Sequence, residues 1–315
     1  MVVYENLKDI NKINKSILTI GTFDGIHKGH LAIFEEMSRI SLDETSKKVV
    51  ISFSPHPKTV LNKKDKFDLL TRKNKKIALC SRSNIDIMVL LPFDEEFSKM
   101  KAINFLQDIL IKYFNPSFIL VGYDHKFGFK REGNYEFLKK NEQIFNYIVK
   151  QVLPFKINNM IISSTIIRKY IKNSYIDIAN KYLGWIYEID GVVVKGSGNG
   201  KKIGFPTANL KIINKNICIP ALGVYAISIK IDGKRYEGMC NIGHRPTIDE
   251  SNMPIIEVNI FHIFEDDFYK KTITVEFIKY IRKEKKFNSI NELVHQLKLD
   301  KKESIKINRR FNVIS

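Results

Sequence analysis

Apolar positions along this chain come in two textures. Up to about residue 180, short apolar runs alternate with stretches whose apolar residues recur at helical spacing. Ser16–Ile20, Lys48–Ser54, Ile85–Leu91 and Phe118–Gly122 read as strands, and His30–Ile40, Lys73–Ser81, Ala102–Phe114 and Tyr135–Asn141 as helices. Such alternation predicts βα units around a parallel sheet, with ligands held outside the carboxyl ends of its strands. After about Leu183, strands follow one another without helices: Tyr187–Val194, Val224–Ile231, Lys234–Asn241, Ile255–Phe264 and Thr272–Tyr280, with Asp232-Gly233 as a hairpin turn. This predicts a small antiparallel barrel. Ser289-Ile-Asn-Glu292 is a capping box that opens a helix through about Leu299. The expectation is therefore a Rossmann-like α/β domain over residues 1–183 and a barrel domain with a terminal helix over 184–315, with a seam near Lys181–Glu188.

Composition narrows the class. With 315 residues, 44% hydrophobic and 11% aromatic, the chain can bury two cores and is not disordered. The charged N-terminus lacks a signal-peptide core, and no apolar run reaches the roughly 20 residues that span a bilayer, so a cytoplasmic protein without a membrane partner is expected. Cys80, Cys218 and Cys240 are isolated, which indicates packing residues rather than a disulfide framework or zinc cluster. The net charge of +18 would suit nucleic acid. The lysines, however, are scattered and accompanied by many Ile and Asn, all with A/T-rich codons. A basic surface also attracts a polyanionic small substrate. No nucleic-acid partner is expected, and at most a weak homo-oligomer.

Two stretches carry dense chemistry. In Gly21-Thr-Phe-Asp-Gly-Ile-His-Lys-Gly-His30, the glycines at 21, 25 and 29 allow tight turning, and His27 and His30 share one face of a helix start. Free amides at a helix N-terminus suit phosphate, and imidazoles there can donate to phosphate oxygens. A metal reading is weaker, because the HExxH arrangement requires i,i+4 histidines with a Glu between them. Ser54-Pro-His-Pro57, a rigid turn when read alone, and Gly122-Tyr-Asp-His-Lys-Phe-Gly128 also follow strands and would gather at the same edge. The second stretch is Lys195-Gly-Ser-Gly-Asn-Gly-Lys-Lys-Ile-Gly-Phe-Pro-Thr-Ala-Asn-Leu210. Thr207 and Asn209 offer hard oxygens of the kind Mg²⁺ accepts.

Strand-GxFDGxHxGH-helix resembles the HxGH nucleotidylyltransferases, and Ile162-Ser-Ser-Thr-Ile-Ile-Arg168 resembles their ISSTxxR element. The glycine loop with GFPTAN, followed by Gly223-Val-Tyr225, Asn241-Ile-Gly-His-Arg-Pro-Thr247 and Ile256-Glu-Val-Asn-Ile-Phe261, resembles riboflavin kinase. Together they resemble the bacterial bifunctional riboflavin kinase/FAD synthetase family over essentially the whole chain. The resemblance implies phosphorylation of riboflavin by ATP to FMN, then adenylylation of FMN by a second ATP to FAD with release of pyrophosphate. It implies that Gly21, Phe23, Asp24, Gly25, His27, Gly29, His30, His56, Ser164, Thr165 and Arg168 surround the adenylylating ATP, and that Asp124 and Phe127 lie by the flavin. In the barrel it implies Gly196, Gly198, Gly200 and Lys201 on ATP, Thr207 and Asn209 on Mg²⁺, Arg245 by the flavin, and Glu257 as base. Thr22, His125, Asn134 and Lys201 depart from the family pattern, His125 standing where an aromatic is usual. One alternative is FAD synthesis only, with the barrel as regulator, which the intact PTAN and Glu257 disfavour. The other is a basic nucleic-acid-binding module, separable by flavin fluorescence titration beside a salt-dependent nucleic-acid shift.

Overall fold

A computed structural model of the chain describes residues 1–40, 43, 45–62, 67–195, 198–244, 254–262 and 269–314, without the side chains of 199 and 312–314. It divides into two compact units, Met1–Ser164 and Thr165–Ser315.

The first unit is built on a six-stranded, wholly parallel sheet: β1 (Val2–Tyr4), β2 (Ser16–Ile20), β3 (Lys47–Ser54), β4 (Ile87–Pro92), β5 (Pro116–Gly122) and β6 (Ile148–Val152), in the order β1-β4-β3-β2-β5-β6. Every residue of β2 is buried, as expected for a parallel strand covered on both faces by crossover helices. One face packs Leu18, Ile20, Val49, Ile51 and Val89 against Leu106, Ile109 and Phe114. The helix read over Ala102–Phe114 is present, with π-type hydrogen bonding from Phe105 onward. It ends at Asn115 in the left-handed conformation (φ 39°), and the helix Tyr135–Phe145 ends likewise at Asn146 (φ 54°). After β2 the chain winds first to one side (β3, β4) and later to the other (β5, β6). The topological switch point therefore lies at the carboxyl ends of β2 and β5, where such folds bind ligands.

The second unit begins with the helices Ser164–Lys172 and Ile176–Leu183 and continues into a closed six-stranded antiparallel barrel. Its strands are β9 (Glu188–Val194), β10 (Ala208–Ile212), β11 (Gly223–Ile231), β12 (Lys234–Gly243), β13 (Ile255–Ile260) and β14 (Thr272–Arg282), with β7 (Lys156–Ile157) and β8 (Met160–Ile161) forming a small ribbon in the first unit. Around the barrel the order is β10-β13-β12-β11-β14-β9. Asp232 (φ 48°) and Gly233 (φ 78°) are both left-handed, the backbone a two-residue hairpin needs. The strand expected to reach Phe264 ends at Ile260; residues 263 and 264 lie outside the described residues.

The terminal helix runs much further than its capping box suggested, over Ile290–Ile314. The Ser289 cap is formed, with Glu292 N–H donating to Ser289 Oγ at 3.2 Å, while the Glu292 carboxylate accepts from the Asn288 amide at 3.0 Å. Its buried face beyond Leu299 is polar: Asp300, Ser304 and Asn308, at i, i+4 and i+8, are 2%, 0% and 1% exposed. Arg282 donates to Asp300 through Nε (2.9 Å) and Nη2 (2.6 Å), and Ser304 Oγ donates to the Gly238 carbonyl at 2.7 Å. Leaving one partner of such a buried pair alone is costly. Asp300→Ala should destabilise the second unit by about 3 kcal/mol. The check is the fluorescence of Trp185, the chain's single tryptophan, during denaturant unfolding: the midpoint should fall at an unchanged slope.

Candidate active sites

The turn after β2 is held in a conformation that isolated residues avoid. Phe23 (φ 44°), Gly25 (φ 91°) and Ile26 (φ 31°) all have positive φ. For non-glycine residues this costs about 1–3 kcal/mol each and persists only where the surroundings enforce it. Here they do. Ile26 is fully buried, and Phe23 packs on Phe34 at 5.3 Å and edge-on to His30 at 5.2 Å. The Asp24 carboxylate, 1% exposed, accepts from the Leu70 and Thr71 amides at 3.0 Å each and from Thr71 Oγ1 at 3.1 Å. The Gly25 amide donates to the same Thr71 hydroxyl at 3.1 Å, and Ser164 Oγ donates to the Asp24 carbonyl at 2.8 Å. The Gly21 amide donates to the Ile51 carbonyl at 3.0 Å, which sets the start of the turn.

His27 is the N-cap residue of the helix Lys28–Arg39, and its carbonyl accepts from the amides of His30 and Leu31. The two imidazoles stack at 3.7 Å with 17° between planes. A Cβ on Gly29 would come within 3.1 Å of the His27 ring, so that glycine leaves the ring its place. The His30 pKa is driven well below the usual histidine value, first by burial, then by the charges of His27 and Lys76. At neutral pH His30 is thus a neutral imidazole at a helix N-terminus, a hydrogen-bonding group that carries no charge of its own.

The neighbouring loops come to the same edge because β2, β3 and β5 are parallel. His56, after β3, accepts from the Lys58 amide through Nδ1 at 3.1 Å, which leaves the ring proton on Nε2, and stacks on Phe67 at 4.5 Å. After β5, Asp124 is exposed, whereas Phe127 is buried among Phe105 (5.6 Å) and Phe137 (5.8 Å). His125 lies 5.7 Å from Phe127, its pKa pushed down to about 4 by burial. Asn134 caps the helix Tyr135–Phe145 by accepting from the Phe137 amide at 2.9 Å. Thr165 and Arg168 lie on the helix that opens the second unit.

In the barrel, register brings the second group of residues together. Asn209 on β10 is directly opposite Glu257 on β13, and Glu257 is directly opposite Asn241 on β12. Opposed residues of an antiparallel pair share a face, so two amides flank one carboxylate. Asn259, two residues beyond Glu257, donates to the Pro206 carbonyl at 2.6 Å and ties the GFPTAN segment to β13. Gly200 sits against that segment: a Cβ there would lie 2.3 Å from the Phe205 carbonyl oxygen and 3.1 Å from Thr207 Oγ1. Gly198 is left-handed (φ 73°), and Lys201 is exposed. Gly196 and Arg245 lie outside the described residues.

Sequence reading did not single out Lys76, Ser52 or Asn259. Lys76 is hidden in the run KNKK, although it recurs at helical spacing with Leu79 and Cys80, the other buried residues of its helix. That i, i+3, i+4 pattern was the available signal.

A phosphate-suited turn at the switch point of a parallel sheet, and a carboxylate flanked by amides beside a glycine loop on a barrel, define a chain with two nucleotide-handling units. Family models agree with this division: FAD synthetase matches residues 9–166 and riboflavin kinase residues 183–308. The chain is 38% identical to the bifunctional riboflavin kinase/FMN adenylyltransferase of Buchnera aphidicola subsp. Schizaphis graminum, covering 94% of both, and 33% identical to that of Bacillus subtilis, covering 93% of this chain and 92% of the relative. A crystal structure from Streptococcus pneumoniae, titled a macrolide-efflux protein, superimposes with a TM-score of 0.86 at 32% identity, over 96% of this chain and 98% of that one. Among the described residues no helix is long and apolar enough to cross a membrane. The chain belongs to the family of bifunctional riboflavin kinase/FMN adenylyltransferases, and is a transferase with both activities.

Because any side chain at position 200 would displace the Phe205–Thr207 backbone, Gly200→Ala should lower kcat/KM for riboflavin phosphorylation roughly 100-fold. Adenylylation of FMN by the same variant, assayed in parallel, should be unchanged.

Proposed function

We propose that the two reactions are divided between the two groups of residues, and that FMN made by the barrel is the acceptor in the first unit. In the barrel, Glu257 takes the proton from the terminal hydroxyl of the ribityl chain as that oxygen attacks the γ-phosphorus of ATP. The glycine loop with Gly196, Gly198, Gly200 and Lys201 holds the ATP phosphates, and Arg245 lies by the flavin. Thr207 and Asn209 hold Mg²⁺, which when bound neutralises charge on the phosphates. These residues fit that ion: a hydroxyl and an amide oxygen beside a carboxylate are hard donors, and Mg²⁺ takes few protein ligands while keeping phosphates and waters. The observation that carries this half is the register that sets Asn209 opposite Glu257.

In the first unit, a phosphate oxygen of FMN attacks the α-phosphorus of a second ATP and pyrophosphate leaves, with no covalent enzyme intermediate. His27 and His30 donate hydrogen bonds to the phosphates, joined by the amides of the helix start. Ser164 and His56 border the same edge. Thr165 and Arg168 enter on the sequence match alone, as do Asp124 and Phe127 for the flavin. The stacked imidazoles at a helix N-terminus, that of His30 held neutral, support this half. We place the domain seam at residues 183/184 and expect a cytoplasmic enzyme of small molecules, without a nucleic-acid partner and with at most weak self-association.

The division predicts reciprocal losses. Glu257→Gln should slow FMN formation by about 10²–10⁴-fold while sparing FMN-to-FAD conversion. His30→Gln should do the reverse, lowering adenylylation by about 10²-fold or more. Chromatographic separation of riboflavin, FMN and FAD reads both; a Glu257→Gln enzyme that still phosphorylates riboflavin at the normal rate rejects the assignment.

A further inference from the structure

Lys76 is 7% exposed, an unusual place for an ammonium, on the helix Lys73–Ser81. Its Nζ donates to the Thr22 carbonyl at 2.7 Å and to Ser52 Oγ at 3.2 Å, and Ser52 Oγ itself donates to the Thr22 carbonyl at 3.0 Å. Thr22 immediately precedes Phe23, the first left-handed residue of the turn. One carbonyl therefore receives two side-chain donors at the point where the backbone enters its strained course.

We propose that Lys76 is a positioning residue for adenylyl transfer, gripping the Thr22 carbonyl from below and so setting the turn that carries His27 and His30. This rests on the reading of those histidines as phosphate-binding groups. Burial opposes the charge of Lys76 and lowers its pKa, while the Asp24 carboxylate favours the charged form. That carboxylate already receives four hydrogen bonds from Leu70 and Thr71, so its negative charge is spread over other donors. The ammonium thus lends positive potential beneath a site for anions, and it acts with burial and with His27 to hold His30 neutral. Among the described residues, the charged or titratable groups that bear on His30 are His27 from the turn and Lys76 from its helix, with Asp24 and Cys80 acting on Lys76. Lys76 reaches the phosphates only through the turn and through His30.

Lys76→Gln keeps a donor for the Thr22 carbonyl and removes the charge, whereas Lys76→Met removes both. In the full chain, kcat/KM for FMN adenylylation should fall roughly tenfold in the Gln variant and further in the Met variant. Loss of the charge lets His30 protonate at higher pH. The acid limb of the adenylylation pH profile should therefore move up in both variants. Riboflavin phosphorylation should stay at the wild-type rate, which reports an intact barrel, and an unchanged circular dichroism melting curve reports an intact first unit; if Met unfolds it, the Gln variant decides alone. An acid limb in Lys76→Gln that coincides with the wild-type one overturns the proposal, whatever the rate. Failure of the underlying reading is seen separately, as a His30→Gln enzyme that makes FAD from FMN at the wild-type rate.

Discussion

The Asp24 carboxylate is buried, and a buried carboxylate must have its oxygens satisfied by donors. It finds them in the Leu70 and Thr71 amides and the Thr71 hydroxyl, far along the chain from the turn it belongs to. This one set of hydrogen bonds fastens the loop after β2 to the segment before the helix Lys73–Ser81. The left-handed backbone at Phe23 and Ile26 would otherwise relax toward ordinary conformations. With the turn fixed, the chain enters the helix Lys28–Arg39 at His27, and the two imidazoles stack over the space that Gly29 leaves. The resemblance grouped Asp24 with the phosphate-binding residues; its carboxylate is engaged by protein donors that hold the binding turn in shape.

The barrel meets the same need by other means. There no turn has to be strained, because antiparallel register already sets Asn209, Glu257 and Asn241 in a row. What must be fixed is the segment that leads into β10, and Asn259 fixes it by donating to the Pro206 carbonyl. Gly200 then lets the glycine loop lie against that segment. In both units a functional loop is anchored by a buried polar side chain that a ligand need not touch.

Much of this was legible along the chain. The period of apolar positions located β2, the helix Lys73–Ser81 and most barrel strands to within a few residues, because buried strands and amphipathic helices have distinct spacings. Less legible were elements whose stabilising contacts are polar or remote. The terminal helix continues on a buried face of Asp300, Ser304 and Asn308, which no hydrophobic pattern reports. β10 begins inside GFPTANL, where no alternation marks a strand, and β1 is three residues long. At the sites, His27, His30, Thr207, Asn209 and Glu257 stood out through motifs. Lys76 and Asn259 did not, since their roles depend on carbonyls, those of Thr22 and Pro206, brought near only by the fold.

Two separate sites, one in each unit, are proposed to act in sequence through FMN. Mixing the Glu257→Gln and His30→Gln chains with riboflavin, ATP and Mg²⁺, and following FAD over time, tests it most directly. Either variant alone should make FAD from riboflavin only slowly, and the mixture should make it much faster, after a lag in which FMN accumulates in solution. FAD formed by either variant alone as fast as by the mixture, or a mixture that produces FMN but no FAD, would contradict this division.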